Sequence, residues 1–154
     1  MDSRKLGNPG TAAFSVDKYP FFQLNRLVGR YNGVIEPRLR AIGLDIPYWR
    51  VLMVLGERAP RGVRDIADAA VIPLSTMTRI IQRMGAAGLV STAPSAADNR
   101  VTDVWLSPLG EEKLAEARQV TAPVYAQVID GLSAADFDRL LSLLGQLYAN
   151  LAPR

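Results

Sequence analysis

The chain has 154 residues, of which 49% are hydrophobic and 21% are charged, a balance typical of one ordinary globular domain. A net charge of +3, from 18 basic and 15 acidic residues, permits nucleic-acid binding without requiring it. Since the chain has no cysteine and no histidine, disulfides, zinc fingers and catalysis by a cysteine nucleophile or histidine base are excluded, and we expect no cofactor or bound metal.

The first 17 residues are rich in Gly, Asn, Pro and Ala and predict a flexible arm. They contain no apolar run after their basic residues, so no secretory signal is visible. The most apolar stretch, 46–55, is interrupted by Arg50 and is too short to cross a bilayer. We therefore expect a cytoplasmic protein with no membrane partner.

Two helices are predicted next. Apolar residues recur every three or four positions from Tyr19 onward, and Pro37 should kink or break this first helix near its end. Its apolar stripe is Phe21, Leu24, Val28, Tyr31, Ile35 and Leu39. Asp45 is placed to cap a second helix, 46–58, with Pro47 in its first turn. Because this helix is apolar on nearly all sides, it should lie at the centre of the core.

The central segment has the order helix, turn, helix, hairpin. Residues 63–70 form a short predicted helix, and a second covers 74–87 with Gly88 as its stop. The apolar residues of the second helix are Met77, Ile80, Ile81 and Met84. Two β-rich runs, 89–92 and 101–106, flank a hairpin tip at 93–100. This order is that of a winged helix-turn-helix, in which one helix enters the DNA major groove.

Two more helices are predicted after the hairpin. Ser107 is a predicted N-cap, and Pro108 follows it in the first turn. The helix that begins here should run to about Asp130. Ser133 and Asp136 resemble a capping box that opens a last helix through Leu151. The apolar stripe of that last helix is Leu140, Leu143, Leu144 and Leu147. The fold class predicted is therefore mainly α with a small β-hairpin.

The outer face of the predicted helix 74–87 carries hydroxyls, an amide and two guanidinium groups. These are the groups that contact base edges and phosphates. The residues are Ser75, Thr76, Thr78, Arg79, Gln82 and Arg83. A polar face on an isolated helix is more often simply solvated, but the preceding helix, the turn and the hairpin favour DNA binding.

The hairpin tip carries Asp98 and Arg100 two residues apart. On a strand the two side chains would share a face, so the carboxylate could hold the guanidinium ready for a narrow minor groove. The alternative is a surface ion pair worth less than about 1 kcal/mol. Residues 58–105 contain six arginines and four aspartates, so a basic patch there depends on placement rather than on bulk charge.

Six segments in register resemble the MarR family of transcriptional regulators. They are Tyr48-Trp49-Arg50-Val51-Leu52, Val63-Arg64-Asp65-Ile66-Ala67, Ser75-Thr76-Met77-Thr78-Arg79, Gly88-Leu89-Val90, Asp98-Asn99-Arg100 and Leu106-Ser107-Pro108-Leu109-Gly110. The terminal helices resemble the family in their apolar character only. Two positions depart from the family pattern, since Pro73 stands where a capping side chain is usual and Ser91-Thr92 where a basic residue is common.

The resemblance implies a homodimer on palindromic double-stranded DNA, with repression relieved by a small ligand. It implies one domain, 1–154, in which 18–45 and 107–154 form dimerisation helices and 46–106 the DNA-binding lobe. By position, the predicted helix 74–87 and the hairpin supply all of the predicted DNA contacts except Arg64, which lies on the predicted helix 63–70. The complete predicted set is Arg64, Ser75, Thr76, Thr78, Arg79, Gln82, Arg83, Asp98 and Arg100.

The resemblance also implies a cleft that accepts small aromatic acids. From the residues themselves, Arg50 stands out as a cation in an apolar helix, and a ligand carboxylate would satisfy it. Alternatively, Arg50 pairs with Glu36 or Glu57 or reaches solvent, and Trp49 is simply a core residue. The predicted ligand set is Phe22, Asn25, Arg26, Arg30, Tyr48, Trp49 and Arg50.

Two other classes of function compete with a DNA-binding repressor. One is a winged helix used for protein contact, without ligand response. The other is a small enzyme, which the lack of histidine, cysteine, a Gly-rich phosphate loop and metal-spaced carboxylates disfavours. Glu111 and Glu112 stand near a helix start, where they favour the helix dipole without any catalytic role.

Overall fold

A computed structural model describes residues 2–153, which form seven α-helices and three short strands in that part of the chain. The helices are α1 (Ser3–Leu6), α2 (Pro20–Arg40), α3 (Ile46–Glu57), α4 (Val63–Ala70), α5 (Leu74–Ala86), α6 (Pro108–Val128) and α7 (Ala134–Ala149), and the strands are β1 (Arg61–Gly62), β2 (Val90–Pro94) and β3 (Thr102–Leu106). One compact unit ends at Thr121 and a second begins at Ala122. The predicted fold class, mainly α with a winged helix-turn-helix, is confirmed.

Helix α3 lies in the core, as its sequence predicts. The Asp45 side chain accepts a hydrogen bond from the Tyr48 backbone N–H at 2.8 Å, so the predicted N-cap is present. Trp49, Leu52 and Leu55 are buried on this helix. Trp49 is thus a core residue, which was one of its two predicted roles.

Helix α2 does not break at Pro37. It continues for three more residues to Arg40, although the proline removes one backbone hydrogen bond. Ile35 and Leu39, on either side of Pro37, are fully buried, and this packing holds the last turn in helical form. The rest of the predicted apolar stripe is not buried, since Phe21 and Val28 are both nearly half exposed.

The sheet has three strands rather than the two of the predicted hairpin, in the order β1-β3-β2. Arg61 and Gly62, which lie between the predicted helices 46–58 and 63–70, pair with Val104 and Asp103 of β3. The Arg61 side chain is buried, and it donates to the Arg58 carbonyl at 3.0 Å and to Glu57 at 2.9 Å. The Arg61 side chain therefore joins strand β1 to the end of α3, and backbone pairing joins the same strand to β3.

The junction between the wing and α6 is closely packed around Gly110. Ser107 caps α6 by accepting from the Gly110 N–H at 3.0 Å, and its own hydroxyl donates to the Gly88 carbonyl. The Ser107 N–H donates to the Leu89 carbonyl at 3.0 Å. A Cβ at Gly110 would overlap the carbonyl oxygen of Leu89. The Ser-Pro-Leu-Gly segment therefore fixes α6 to the end of α5.

Replacing Gly110 with alanine is expected to lower the free energy of unfolding by about 1–3 kcal/mol, because the added methyl overpacks this junction. Urea unfolding at matched protein concentration measures the loss. Gly85→Ala is the control, since nothing lies within 4 Å of a Cβ there and a helical alanine should gain about 0.5–1 kcal/mol. Equal midpoints for wild type and Gly110→Ala would contradict the close packing.

The second unit contains α7, which begins with the predicted capping box. Ser133 accepts from the Asp136 N–H at 3.1 Å, and the Asp136 carboxylate accepts from the Ser133 N–H at 3.4 Å. The helix ends at Ala149, two residues before the predicted end. Its leucine stripe is largely exposed in the single chain: Leu140, Leu143 and Leu147 each retain more than two fifths of their accessible surface.

Two features are absent from the described part of the chain. No helix within residues 2–153 is long and apolar enough to span a membrane. The same residues contain no group of three or more acidic, histidine or cysteine side chains placed to bind a metal ion.

Candidate nucleic-acid interface

The turn between α4 and α5 sets the position of α5. Helix α4 buries Ile66, Ala67 and Ala70, and the Ile72 N–H donates back to the Ala67 carbonyl at 3.0 Å. Val71 adopts a left-handed conformation with φ of 56°. This costs a β-branched residue about 1–2 kcal/mol. The strained turn brings α5 across α4 with one face buried against it.

Helix α5 has the two faces that its sequence predicts. Met77 and Met84 are completely buried, and Ile80 and Ile81 nearly so. We call the opposite side the reading face, and all of its members are exposed: Ser75, Thr76, Thr78, Arg79, Gln82 and Arg83. The helix therefore presents hydroxyl, amide and guanidinium groups together while its apolar side is anchored in the core.

The first turn of α5 is open. Its N-cap is Pro73, which supplies no side-chain hydrogen bond, and the helix begins at Leu74. The N–H groups of the first turn are thus left for solvent or a bound phosphate. The Thr78 hydroxyl donates to the Leu74 carbonyl at 3.0 Å, so on the reading face it offers only its lone pairs as an acceptor.

Ion pairing decides which arginines of this region are available to DNA. Arg58 pairs with Asp65 at 2.8 Å, and Arg61 pairs with Glu57. Arg64, Arg79 and Arg83 are exposed, and none of the three forms an ion pair within residues 2–153. The uncompensated positive charge is therefore at the start of α4 and along the reading face.

The wing tip holds Asp98 and Arg100 together, but in a turn instead of on a strand. The Asp98 carboxylate accepts from the Arg100 backbone N–H at 3.0 Å and from its guanidinium at 3.1 Å. Expecting a shared strand face was therefore wrong, because β3 begins only at Thr102. The Arg100 guanidinium, followed by its backbone N–H, holds the pKa of Asp98 below its usual value. The aspartate thus stays charged and positions an arginine whose side chain is 91% exposed.

Strand β2 lies beside the wing tip and ends at Pro94, two residues later than predicted. Ser91 and Thr92 stand on it, half-buried and exposed respectively. They supply hydroxyl groups and no positive charge. The wing therefore depends on Arg100 for its positive charge.

Arg50 has a partner that the sequence did not indicate. Its guanidinium donates to the Ala70 carbonyl at the end of α4, at 3.4 Å. Glu36 pairs with Arg40 and Glu57 with Arg61, so neither acid expected for Arg50 is its partner. A cation at a helix C-terminus is favourable, so Arg50 helps to hold the turn that leads into α5.

The other predicted ligand residues lie mainly on α2. Phe22, Asn25 and Arg30 are exposed there, and Arg26 pairs with Asp17 at 3.0 Å. Tyr48 is half-buried and lines a shallow cavity whose other residues are Arg40, Gly43, Leu44 and Asp45. That cavity contains no other member of the predicted ligand set.

Comparison with known proteins matches the chain to one family. A family profile described as "MarR family" matches residues 42–100. The HTH-type transcriptional repressor IacR of Pseudomonas putida is 37% identical over 144 residues, which cover 94% of this chain and 86% of that repressor.

Solved structures agree in fold. A MarR-family transcriptional regulator from Silicibacter pomeroyi has a TM-score of 0.83 at 23% identity, covering 94% of this chain and 97% of the other. The repressor CouR, solved on a 23-mer DNA duplex, has a TM-score of 0.75 at 21% identity, covering 86% and 94%. CouR from Rhodococcus jostii bound to p-coumaroyl-CoA has a TM-score of 0.79 at 17% identity, covering 91% and 99%.

Proposed function

The chain belongs to the MarR family of transcriptional regulators, and from that membership we propose that it is a homodimeric repressor of a palindromic DNA site, released by a small aromatic acid. Membership also separates it from enzymes, in agreement with the absence of histidine and cysteine from its sequence. The proposal has three parts: DNA contact through α5 and the wing, pairing of two copies, and release by a ligand.

The reading face of α5 is the observation that carries the DNA-binding part. An exposed stripe of hydroxyl, amide and unpaired guanidinium groups on an anchored helix suits base edges and phosphates together. Arg79 and Gln82 carry the groups that bind guanine and adenine bidentately. Arg64 and the open first turn of α5 are assigned to phosphates, and Arg100 to the minor groove. CouR, a structural neighbour, has been solved on DNA.

The exposed apolar faces of α2 and α7 support pairing of two copies. Leu27 and Val28 on α2 are about half exposed, and so are Leu141 and Leu143 on α7. Exposed apolar faces of this kind mark interaction surfaces, and the resemblance to the family implies a homodimer. A two-fold dimer would place its two α5 helices in successive major grooves, about 34–36 Å apart, on a palindromic site.

Ligand release is proposed for a small aromatic acid. CouR has been solved with p-coumaroyl-CoA, which supports ligand response in a protein of this fold. An effector must bind the DNA-competent and DNA-incompetent states unequally, and a coupling of about 1–3 kcal/mol would lower DNA affinity by about 5–150-fold. The residues predicted for it on α2 and α3 remain a proposal.

Fluorescence anisotropy tests this function on the DNA upstream of the chain's own coding region. Affinity should be nanomolar, should fall steeply as salt is raised, and should weaken with one member of a panel of aromatic acids. A scrambled duplex of equal composition is the control. If the protein binds the upstream duplex, the scrambled duplex and DNA selected from a random pool with equal affinity, the result would favour a winged helix used for protein contact.

A further inference from the structure

The helix-turn-helix contains one segment that apolar packing does not hold. Ala70 ends α4 as a buried residue, and the next buried residue along the chain is Met77 of α5. Of the six residues between them, five are exposed and one is half-buried. We call residues 71–76 the connecting segment. It includes Ser75, Thr76 and the open start of α5, so a part of the proposed DNA-binding surface is positioned by something other than the core.

The connecting segment begins with a strained residue. Val71 has φ of 56°, and its side chain is 83% exposed, so side-chain packing does not hold it in the left-handed conformation. A β-branched residue is disfavoured there, and rotation of the Ala70–Val71 peptide would relieve the strain. Because the rest of the connecting segment follows this peptide along the chain, such a rotation would also redirect the first turn of α5.

Both polar groups of the Ala70–Val71 peptide are hydrogen-bonded. The Val71 N–H donates to the Asp68 carbonyl at 3.3 Å, within the last turn of α4. The Ala70 carbonyl accepts from the Arg50 guanidinium of α3 at 3.4 Å. The first bond is local, whereas the second joins residues 20 positions apart. Arg50 is therefore the group that ties this peptide to a different helix.

Arg50 is suited to this contact by its place on α3. It lies between Trp49 and Val51, which are both buried, so the core fixes its backbone. Arg50 itself is half-buried, and within residues 2–153 its guanidinium forms no ion pair and no hydrogen bond other than the one to Ala70. A cation at the end of a helix also interacts favourably with the helix dipole.

We propose that Arg50 is a positioning residue for DNA binding. By holding the peptide before Val71 in its strained orientation, it sets where the connecting segment meets the duplex, and it does so without touching the DNA. A binding group contributes fully only when it is held within about 0.5 Å and 10–20° of its productive geometry. The proposal rests on the proposed function, because its consequence is the strength of DNA binding.

Anisotropy titrations of the full-length protein test this role on DNA selected by the wild type, without any effector. Arg50→Met keeps an unbranched apolar stem but has no donor, and it should weaken binding by about 10–100-fold because both half-sites are affected. The salt slope of the affinity should stay unchanged, because no phosphate contact is lost. Arg64→Met is the comparison, since loss of a phosphate contact should reduce that slope by about one for each subunit.

Arg50→Lys is the rescue variant. It keeps a cationic donor, and because the contact is a single hydrogen bond, it should bind DNA within about threefold of the wild type. Binding as weak as that of Arg50→Met would contradict the role of the hydrogen bond. Arg38→Met is the matched control, because it removes an exposed arginine of α2 and should bind like the wild type. Each titration is run below the unfolding midpoint of the variant, so that lower stability alone does not reduce the affinity.

Amide hydrogen exchange of the free protein tests the contact without DNA. In Arg50→Met the N–H groups of Val71 and Ile72, which both donate back to α4, should exchange about 10-fold faster than in the wild type. The N–H of Met84, on the buried side of α5, should exchange at an unchanged rate.

Three results for Arg50→Met would refute the proposal. They are unchanged DNA affinity, unchanged exchange at Val71 and Ile72, and a salt slope that falls as it does in Arg64→Met, since Arg50 would then contact a phosphate. A wild type that binds no duplex selectively refutes the proposed function and, with it, the DNA-binding role of Arg50. The exchange rates still decide, independently of DNA, whether Arg50 holds the turn.

Discussion

The double substitution Arg79→Ala with Arg83→Ala should abolish selective DNA binding. Both side chains are exposed on the reading face and neither forms an ion pair in the described chain, so their loss removes contacts without disturbing the fold. An arginine bound to a base contributes about 1–3 kcal/mol. Removing two per half-site should weaken binding at least a hundredfold, measured by anisotropy on DNA selected by the wild type.

Single variants separate base contacts from phosphate contacts. Loss of an arginine that binds a base should relax the sequence preference at one position. Loss of one that binds a phosphate should weaken binding to all duplexes equally and reduce the salt slope of the affinity by about one. Arg38→Ala, on α2, serves as the control and should bind like wild type. Tight, sequence-selective binding by the double variant would refute the assignment of α5.

Replacing Leu140 and Leu147 of α7 with glutamate should convert the proposed dimer to monomer. Each leucine is a little over two fifths exposed, so its burial against a second copy contributes about 1 kcal/mol, a share of the value for a fully buried leucine. Four such side chains per dimer amount to about 4 kcal/mol, which raises the dissociation constant roughly a thousandfold. Sedimentation at micromolar concentration should then detect monomer.

The matched control adds the same two charges to α7 at polar positions. Ser142 and Gln146 are exposed. Replacing both with glutamate should leave the proposed dimer intact. That result would show that added charge alone does not cause the dissociation. A Leu140→Glu, Leu147→Glu protein that remains fully dimeric would show that the leucine stripe of α7 is not the interface.

The parts of the fold that the sequence predicts are those set by local chemistry. Asp45 and Ser133 cap their helices because short polar side chains reach backbone N–H groups three residues away. The buried and exposed faces of α5 follow from apolar residues at helical spacing. Gly88, with φ of 75°, follows the end of α5 because an L-residue with a side chain is disfavoured in that conformation.

The parts that escaped prediction depend on contacts between distant residues. Strand β1 has only two residues, so its sequence shows no periodicity. It forms because its backbone pairs with β3. Arg50 donates to a carbonyl 20 residues away, which no pairing of charges in the sequence reveals. The close approach of α3 and α6 at Gly56, where a Cβ would overlap Leu114, likewise joins residues that are far apart in the sequence.

The position of α5 on DNA can be measured directly by site-directed cleavage. Because the chain has no cysteine, Ala86→Cys provides a unique attachment point for a DNA-cleaving iron chelate at the exposed end of α5. If α5 lies in the major groove of each half-site, two clusters of cleavage about one duplex turn apart are expected on DNA selected by the wild type. The same chelate on Ala149→Cys, at the end of α7, should cleave weakly. Strong cleavage from Ala149 with none from Ala86, or uniform cleavage from Ala86, would contradict this position of α5.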